Sequence, residues 1–257
     1  MGQRPARYGA AWSREELILA FDLYCRIPFK HTKHTNPQVR ALAALLNRSP
    51  AAVARKLGNF GAFDPELAKR AVKGLTHGSK LDREVWEAFH SDWGRLISEA
   101  DRIRREQRRT AAADTVGLQA PDGPSETWRT GKTRLHQAFF RQAVLSSYEG
   151  SCCITDLSVP EALVAAHIIP WSRNEENRAN PRNGLCLSAT FSCLFDAGFV
   201  GVTQQLRVCM SSRLLRKRDR HTRELITRYN EQPLRRPNRF APEARFLQWH
   251  LDNVFCA

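Results

Sequence analysis

The chain has 257 residues, 42% hydrophobic and 26% charged, which is enough for one large or two ordinary domains. No apolar run approaches the roughly 18 residues of a membrane-spanning helix, and the first residues lack the apolar core of a secretion signal. The seven cysteines form no C-x-x-C pair, a usage typical of a reducing compartment. We therefore expect neither membrane insertion nor secretion, and we predict a cytoplasmic protein.

The formal net charge of +14 at pH 7 indicates a polyanionic partner, since a field of this size attracts nucleic acid. Much of the excess is local: between Arg207 and Arg239 there are eleven Arg or Lys residues against three Asp or Glu residues. Such clustering favours a DNA-binding surface, with Arg216, Lys217 and Arg218 as predicted contacts. The alternative is a set of solvated helix faces without a binding role.

The N-terminal third predicts a helical module, because helix start signals precede its apolar-periodic runs. Ser13-Arg-Glu-Glu16 is a capping box, and Asn36-Pro37 and Ser49-Pro50 each place a cap before a proline at the first helical position. The last two starts predict a helix of about ten residues, a short turn, and a second helix from Pro50 to Leu57.

This spacing is typical of a helix-turn-helix, whose second helix enters the major groove of DNA. Arg48, Arg55 and Lys56, in the turn and on the second helix, are therefore predicted to bind DNA. A purely structural hairpin is the alternative, because any two short packed helices produce the same spacing.

Two more helices and a linker complete the first half of the chain. A short helix is predicted from Asp64-Pro65 to about Lys73, and a longer one from Leu81 to Arg109, where apolar residues keep a helical period. Residues 111–127 have the small, polar and Pro/Gly content of a linker. We therefore predict a helical domain over 1–110, a linker over 111–127 and a second domain over 128–257.

The second domain predicts an α+β fold. A helix from Arg134 to Tyr148 presents Arg134 and Arg141 outward, where both are predicted to bind DNA. Short strands are predicted at 152–155, 163–169 and 185–187, followed by a helix at 189–195 and an amphipathic helix at 246–255. His250, in that last helix, is predicted to be structural, with a phosphate contact as the alternative.

Three features of this domain point to chemistry: His167 closes one strand, Asn183-Gly184 opens the next, and the following helix carries Asp196. Hydrolysis of a phosphodiester needs a base for the attacking water, and an imidazole that titrates near neutral pH suits this role. It also needs neutralisation of the phosphate charge, which a divalent cation with oxygen or imidazole ligands provides. His167 is the predicted base, and Asn183 and Asp196 are candidate ligands.

The order and spacing of these residues, from about 134 to 202, resemble the HNH nuclease family in its ββα-metal form. The resemblance implies that His167 and Asn183 are catalytic and that one divalent metal ion is bound, Mg²⁺ or Mn²⁺, with Ni²⁺ or Zn²⁺ as alternatives. It further implies a metal-dependent DNA endonuclease with a helical recognition domain, acting in restriction or defence and on modified DNA. Cleavage of both strands by chains with one site each favours a homodimer.

The chain departs from the family at the start of the last helix, where members carry histidine or aspartate. Phe191 and Ser192 stand there instead, and a phenyl ring cannot bind a metal while a neutral hydroxyl is a poor ligand. Ala166 likewise replaces an aspartate that precedes the histidine in other branches. Ser192 and Asp196, one helical turn apart, are the candidate helix ligands, with Ser192 contributing weakly; the alternatives are a low metal affinity or a DNA-binding protein with a catalytically silent HNH fold.

Each predicted site residue also has a structural alternative. His167 would then be a core histidine bonded to a backbone carbonyl, and Asp196 would pair with an arginine on the surface. Asn183 would pin the loop between His167 and the helix, which is its usual role in the family, with metal ligation in some members.

Four cysteines of the second domain raise the alternative of a structural zinc site, which some HNH proteins have. Such sites use C-x-x-C pairs, whereas Cys152 and Cys153 are adjacent and their side chains would point in opposite directions on a strand. Packing in an apolar core is therefore the prediction for these two residues and for Cys186 and Cys193.

Overall fold

Helices and two small antiparallel sheets make up the structure, a computed structural model that describes residues 9–72, 78–113 and 126–257. The α+β class predicted from the sequence is confirmed, with helices preceding the strands along the chain. Two compact units divide the chain, Met1–Phe139 and Phe140–Ala257. Over the described ranges, no helix combines the length and apolar character needed to cross a bilayer.

The helices of the first unit begin at the caps that the sequence predicts. Ser13 accepts a hydrogen bond from the backbone N–H of Glu16, and the side chains of Asn36 and Ser49 cap the second and third helices. The third helix ends at Phe63 and not at the predicted Leu57, because the next residues that interrupt a helix are Asp64 and Pro65. In chain order the helices are α1 (Arg14–Arg26), α2 (Pro37–Leu45), α3 (Pro50–Phe63), α4 (Pro65–Lys69), α5 (Lys80–Phe89) and α6 (Trp93–Ala113).

The single helix predicted from Leu81 to Arg109 is wrong, since the chain breaks between α5 and α6. His90 ends α5 with its N–H bonded to the Trp86 carbonyl, and Asp92 starts α6 by accepting the N–H of Arg95 on its side chain. Asp92, just before Trp93, is a helix N-cap that the sequence analysis missed, because the apolar residues keep a helical period across the break.

The predicted linker lies mostly outside the described residues. Positions 111–113 continue α6, and positions 126–127 open α7, which runs over Glu126–Ser147. The division between the two units falls within α7, after Phe139.

Arg48, predicted to bind DNA, instead belongs to a buried ion pair. Its guanidinium donates to both carboxylate oxygens of Glu16 at 2.8–2.9 Å and to the carbonyls of Ala10 and Ala11. Both charged side chains are only 3% exposed. This corrects the predicted DNA contact, because the guanidinium of Arg48 is buried and bonds to residues at the start of α1.

Lys56 is likewise engaged within the unit. Its ammonium lies 2.9 Å from both oxygens of the buried Asp82, which also accepts a hydrogen bond from Asn59. This ion pair speaks against a DNA contact by Lys56, which stays a prediction, since its charge is engaged at the start of α5. Arg55 is exposed, and its DNA contact stays a prediction.

We expect the replacement Arg48→Met to lower the free energy of unfolding by about 3–5 kcal/mol, because it leaves the Glu16 carboxylate buried without its cation. Urea unfolding measures this loss, and the double replacement Arg48→Met/Glu16→Gln should recover part of it. A loss below about 1 kcal/mol, the range of an exposed ion pair, together with weaker DNA binding would restore the DNA-contact role.

The second unit holds the strands and the remaining helices. Strand β1 (Leu163–His167) pairs antiparallel with β2 (Gly184–Ser188), with His167 opposite Gly184 and Leu163 opposite Ser188. A second ribbon pairs β3 (Val200–Val202) with β4 (Val208–Met210). The helices after β2 are α8 (Ala189–Asp196), α9 (Ser212–Leu215), α10 (Arg220–Leu225) and α11 (Ala244–Asn253).

The strand predicted at 152–155 is wrong, because this segment is a turn. The N–H of Cys152 bonds to the carbonyl of Leu157, and the N–H of Cys153 bonds to the carbonyl of Cys186. Both thiols are buried in the core of the second unit together with Cys186, whereas Cys193 is exposed. Burial raises the pKa of Cys186 to about 12, so this thiol is protonated at neutral pH.

Candidate active site

Strands β1 and β2 and helix α8 form a continuous strand, loop, strand and helix unit. The Ser188 hydroxyl, at the end of β2, accepts the N–H of Phe191 and so starts α8 without an intervening loop. At the other end of β2, Gly184 has extended backbone, with a φ of −136°. A side chain there would collide with α7, because an added Cβ would lie 2.4 Å from a methyl of Val144 and 2.8 Å from Phe140. Close packing rather than turn geometry therefore requires this glycine.

Asn183 pins the loop between the two strands. Its Oδ1 accepts the N–H of Ile169 at 2.8 Å, and its Nδ2 donates to the carbonyl of the same residue at 3.1 Å. The side chain is buried, and Nδ2 also lies 3.5 Å from the carbonyl of Asn177. Of the two roles the sequence left open, this geometry supports pinning. It speaks against the predicted metal ligation, because the side chain is buried and both of its polar atoms already bond the backbone of the loop.

His167 is held on three sides, by two residues of the same loop and by Phe140 of α7. Its Nε2 lies 2.9 Å from the carbonyl of Arg178, its ring stacks on Phe140 with centroids 3.6 Å apart, and the edge of Trp171 approaches it at 5.6 Å. A carbonyl only accepts, so Nε2 carries the hydrogen. Nδ1 therefore has the lone pair, and it has no hydrogen-bond partner within residues 126–257.

The environment of His167 keeps this imidazole neutral. Burial lowers its pKa below the usual value of about 6.5, and the bond to the Arg178 carbonyl opposes this only in part. His167 is thus bonded to a backbone carbonyl, as the structural alternative expects, but only through Nε2. The other nitrogen is available to accept a proton at neutral pH.

One cleft brings most of the predicted chemistry together. It has a volume of about 370 Å³ and is lined by His167, Ser192 and Asp196, with Trp171 at its wall. Asn183 does not line it. The predicted base and both predicted helix residues therefore line the same cleft, whereas the predicted catalytic Asn183 does not.

The two departures from the family pattern have different surroundings. Phe191 is buried, and its ring meets the edge of Tyr229 at 5.5 Å, so it serves the core. Ser192 lines the cleft although it is only 5% exposed. Asp196, one turn later, is exposed and forms no ion pair with any described residue, and partial burial raises the pKa of its carboxyl group.

His250 also lines this cleft, which the sequence alone did not indicate. Its imidazole repeats the arrangement of His167: Nε2 lies 3.1 Å from the carbonyl of Phe195, and the ring stacks on the Phe195 ring at 3.7 Å. Burial lowers its pKa to about 4, so the ring is neutral. The signal in the sequence was a lone histidine on an amphipathic helix, which does not reveal its spatial neighbours.

The predicted DNA-binding residues of this unit lie on the surface. Arg216, Lys217 and Arg218 follow α9 and are exposed. Arg141 is exposed too, although its guanidinium donates to the carbonyl of Leu163 at 2.9 Å and so braces the start of β1. Arg134 is exposed on α7, in the first unit.

Comparison with known families agrees with this geometry. Residues 152–203 match a family model described as HNH endonuclease, and this stretch contains β1, β2, α8 and the loop that holds His167. A search of curated proteins finds no significant match. Over residues 152–203 this chain is therefore similar to the HNH endonuclease family.

Proposed function

We propose that the protein is a metal-dependent endonuclease that hydrolyses phosphodiester bonds of DNA in the cleft between β1, α8 and α11. The observation that carries the proposal is His167: a neutral imidazole with its tautomer fixed by the Arg178 carbonyl and its Nδ1 unpartnered among the described residues. It stands in a cleft with a carboxylate, inside the segment that matches the nuclease family.

His167 acts as the general base. Nδ1 takes a proton from a water molecule as the water oxygen bonds to phosphorus, and the P–O bond to the leaving oxygen breaks. The Arg178 carbonyl, still bonded to Nε2–H, stabilises the imidazolium that forms. Stacking on Phe140 and the edge of Trp171 restrict the ring to one orientation, so the base is positioned before substrate arrives.

The cleft residues fit a divalent cation. Asp196 supplies a carboxylate with no cationic partner among the described residues, and Ser192 adds a hydroxyl oxygen. A cation bound there would neutralise charge on the phosphate and on the leaving oxygen. Asn183 takes the part of a positioning residue: it fixes the loop that carries the Arg178 carbonyl, and so it orients His167 without touching substrate.

The exposed basic residues after α9 would bind the phosphate backbone. We expect the triple replacement of Arg216, Lys217 and Arg218 by Gln to reduce the slope of log K against log salt by about 2 to 3, because each phosphate contact contributes about 0.9. Fluorescence anisotropy with a labelled duplex, between low and moderate salt, measures the slope.

A charge-matched control removes three cations that lie in exposed ion pairs of the first unit. The control replacements are Lys69→Gln, Lys80→Gln and Arg102→Gln. They lower the net charge equally, so a slope reduced to the same extent by both triple variants would show a general field effect and contradict a local contact surface.

Plasmid cleavage tests the function itself. Supercoiled plasmid and modified phage DNA are incubated with the protein and Mg²⁺, Mn²⁺, Ni²⁺ or EDTA; the proposal expects nicked or linear product with a metal and none with EDTA. No cleavage by the wild type under any condition, with cleavage by Ser192→Asp, would overturn the proposal in favour of a silent fold that binds DNA.

The biological setting extends the proposal beyond the chemistry. A role in restriction or defence, a preference for modified DNA and a homodimer that cuts both strands follow from the sequence resemblance. Recognition by the helical first unit, with Arg55 on α3, belongs to the same set of predictions. The plasmid assay compares modified with unmodified DNA and so addresses the substrate preference directly.

A further inference from the structure

His250 stands in the cleft with one ring nitrogen unsatisfied. The side chain is 2% exposed, and Nε2–H is used by the Phe195 carbonyl, which fixes the tautomer. Nδ1 is buried and has no hydrogen-bond partner among residues 126–257. A buried acceptor without a partner costs about 1–3 kcal/mol, a cost that a ligand bound to Nδ1 would offset.

The C-terminal segment is fastened to the end of α8, which keeps His250 in place. Gly198, with a φ of +74°, follows α8, and an added Cβ there would lie 2.2 Å from the carbonyl of Val254. The N–H of Cys256 bonds to the Gly198 carbonyl at 2.8 Å. With the bond from His250 to Phe195, these contacts make α11 a wall of the same cleft that Ser192 and Asp196 line.

We propose that His250 is a metal ligand, supplied through Nδ1 by α11 to the cation that the cleft residues Asp196 and Ser192 hold. The proposal rests on the proposed function and deepens it. It names a metal ligand that takes the place of the histidine or aspartate that this chain lacks at the start of α8. Phe191 has no donor atom there and Ser192 offers only a hydroxyl. An imidazole from another helix restores a strong donor to the cleft.

This donor set favours some metals over others. Mg²⁺ binds through oxygen ligands and gains little from an imidazole, whereas Mn²⁺, Co²⁺, Ni²⁺ and Zn²⁺ accept mixed nitrogen and oxygen ligands. We therefore expect tighter binding of Co²⁺ and Mn²⁺ than of Mg²⁺ in the absence of DNA. Only part of this preference should remain without the imidazole.

The test measures metal binding directly, on the full chain without DNA. Co²⁺ is titrated by its visible absorption, and bound Mn²⁺ is examined by pulsed electron paramagnetic resonance for coupling to a ¹⁴N nucleus. The variant is His250→Gln, and the matched control is His221→Gln, which removes an exposed histidine outside the cleft. We expect at least about a tenfold weaker Co²⁺ affinity and loss of the ¹⁴N coupling in His250→Gln only.

The variant His167→Gln identifies the source of the nitrogen signal. Coupling that persists in this variant belongs to another histidine, as the proposal requires. Coupling that vanishes in it, or that is absent from the wild type, overturns the proposal even where His250→Gln does not fold. Unchanged Co²⁺ affinity in a folded His250→Gln also overturns it and leaves His250 as a structural residue.

The outcome is separable from that of the plasmid assay. Metal binding that depends on His250, without DNA cleavage, would contradict the nuclease function and support His250 as a metal ligand. DNA cleavage, together with metal binding that does not depend on His250, would support the nuclease function and contradict the role of His250 as a ligand.

Discussion

Replacement of His167 by Gln is expected to slow DNA cleavage by about 10² to 10⁴, the usual contribution of a general base. Gln can still donate to the Arg178 carbonyl from its amide, but it cannot accept a proton at neutral pH. The fold and the affinity for DNA should therefore remain close to those of the wild type. Single-turnover cleavage of a labelled duplex and urea unfolding measure the two properties separately.

The companion replacement His167→Ala removes the hydrogen bond to Arg178 as well as the base. It should cleave as slowly as His167→Gln while unfolding at lower urea, since it also leaves the Phe140 ring without its stacking partner. Cleavage by either variant at a rate within a few-fold of the wild type would rule out His167 as the base.

The replacement Asn183→Asp separates the two roles left open for this residue. A carboxylate retains the acceptor for the Ile169 N–H but replaces the donor, so a buried negative oxygen would face the carbonyl of Ile169. We expect a loss of about 2–4 kcal/mol in the free energy of unfolding, because a buried charge is left unpaired. Cleavage should fall too, since the loop that orients His167 is displaced.

A metal ligand at this position would give the opposite result. Carboxylates bind divalent cations more strongly than amides, so a ligating Asn183 predicts tighter Mn²⁺ binding on replacement by Asp. Tighter binding with unchanged stability, measured by titration and urea unfolding, would contradict the pinning role and return Asn183 to the metal site.

The unit of two strands and a helix around His167 was largely predictable because its signals are local. The apolar run that ends at His167, the Asn183-Gly184 pair and the cap at Ser188 each lie within a few residues of the element that they define. The order of β1, loop, β2 and α8 follows from them. The ribbon of β3 and β4 was not predicted, because strands of three residues are too short to show a period of two.

The contacts that distinguish one role from another were not predictable, because they join residues distant in the chain. Arg48 reads as a basic residue in a turn, and only the fold brings it to Glu16, 32 residues earlier. His250 reads as a lone histidine, and only the packing of α11 on α8 brings it to Phe195, 55 residues earlier. Burial decides both cases, and a residue type alone does not reveal it.

The pH dependence of single-turnover cleavage tests the central claim most directly, because the proposed general base is active only as a neutral His167. Burial lowers the pKa of His167, so the rate should rise with pH, reach half its maximum below about 6.5 and then level off. A metal concentration that saturates the protein at every pH isolates this titration. A rate that keeps rising tenfold per pH unit through pH 8 would contradict the account.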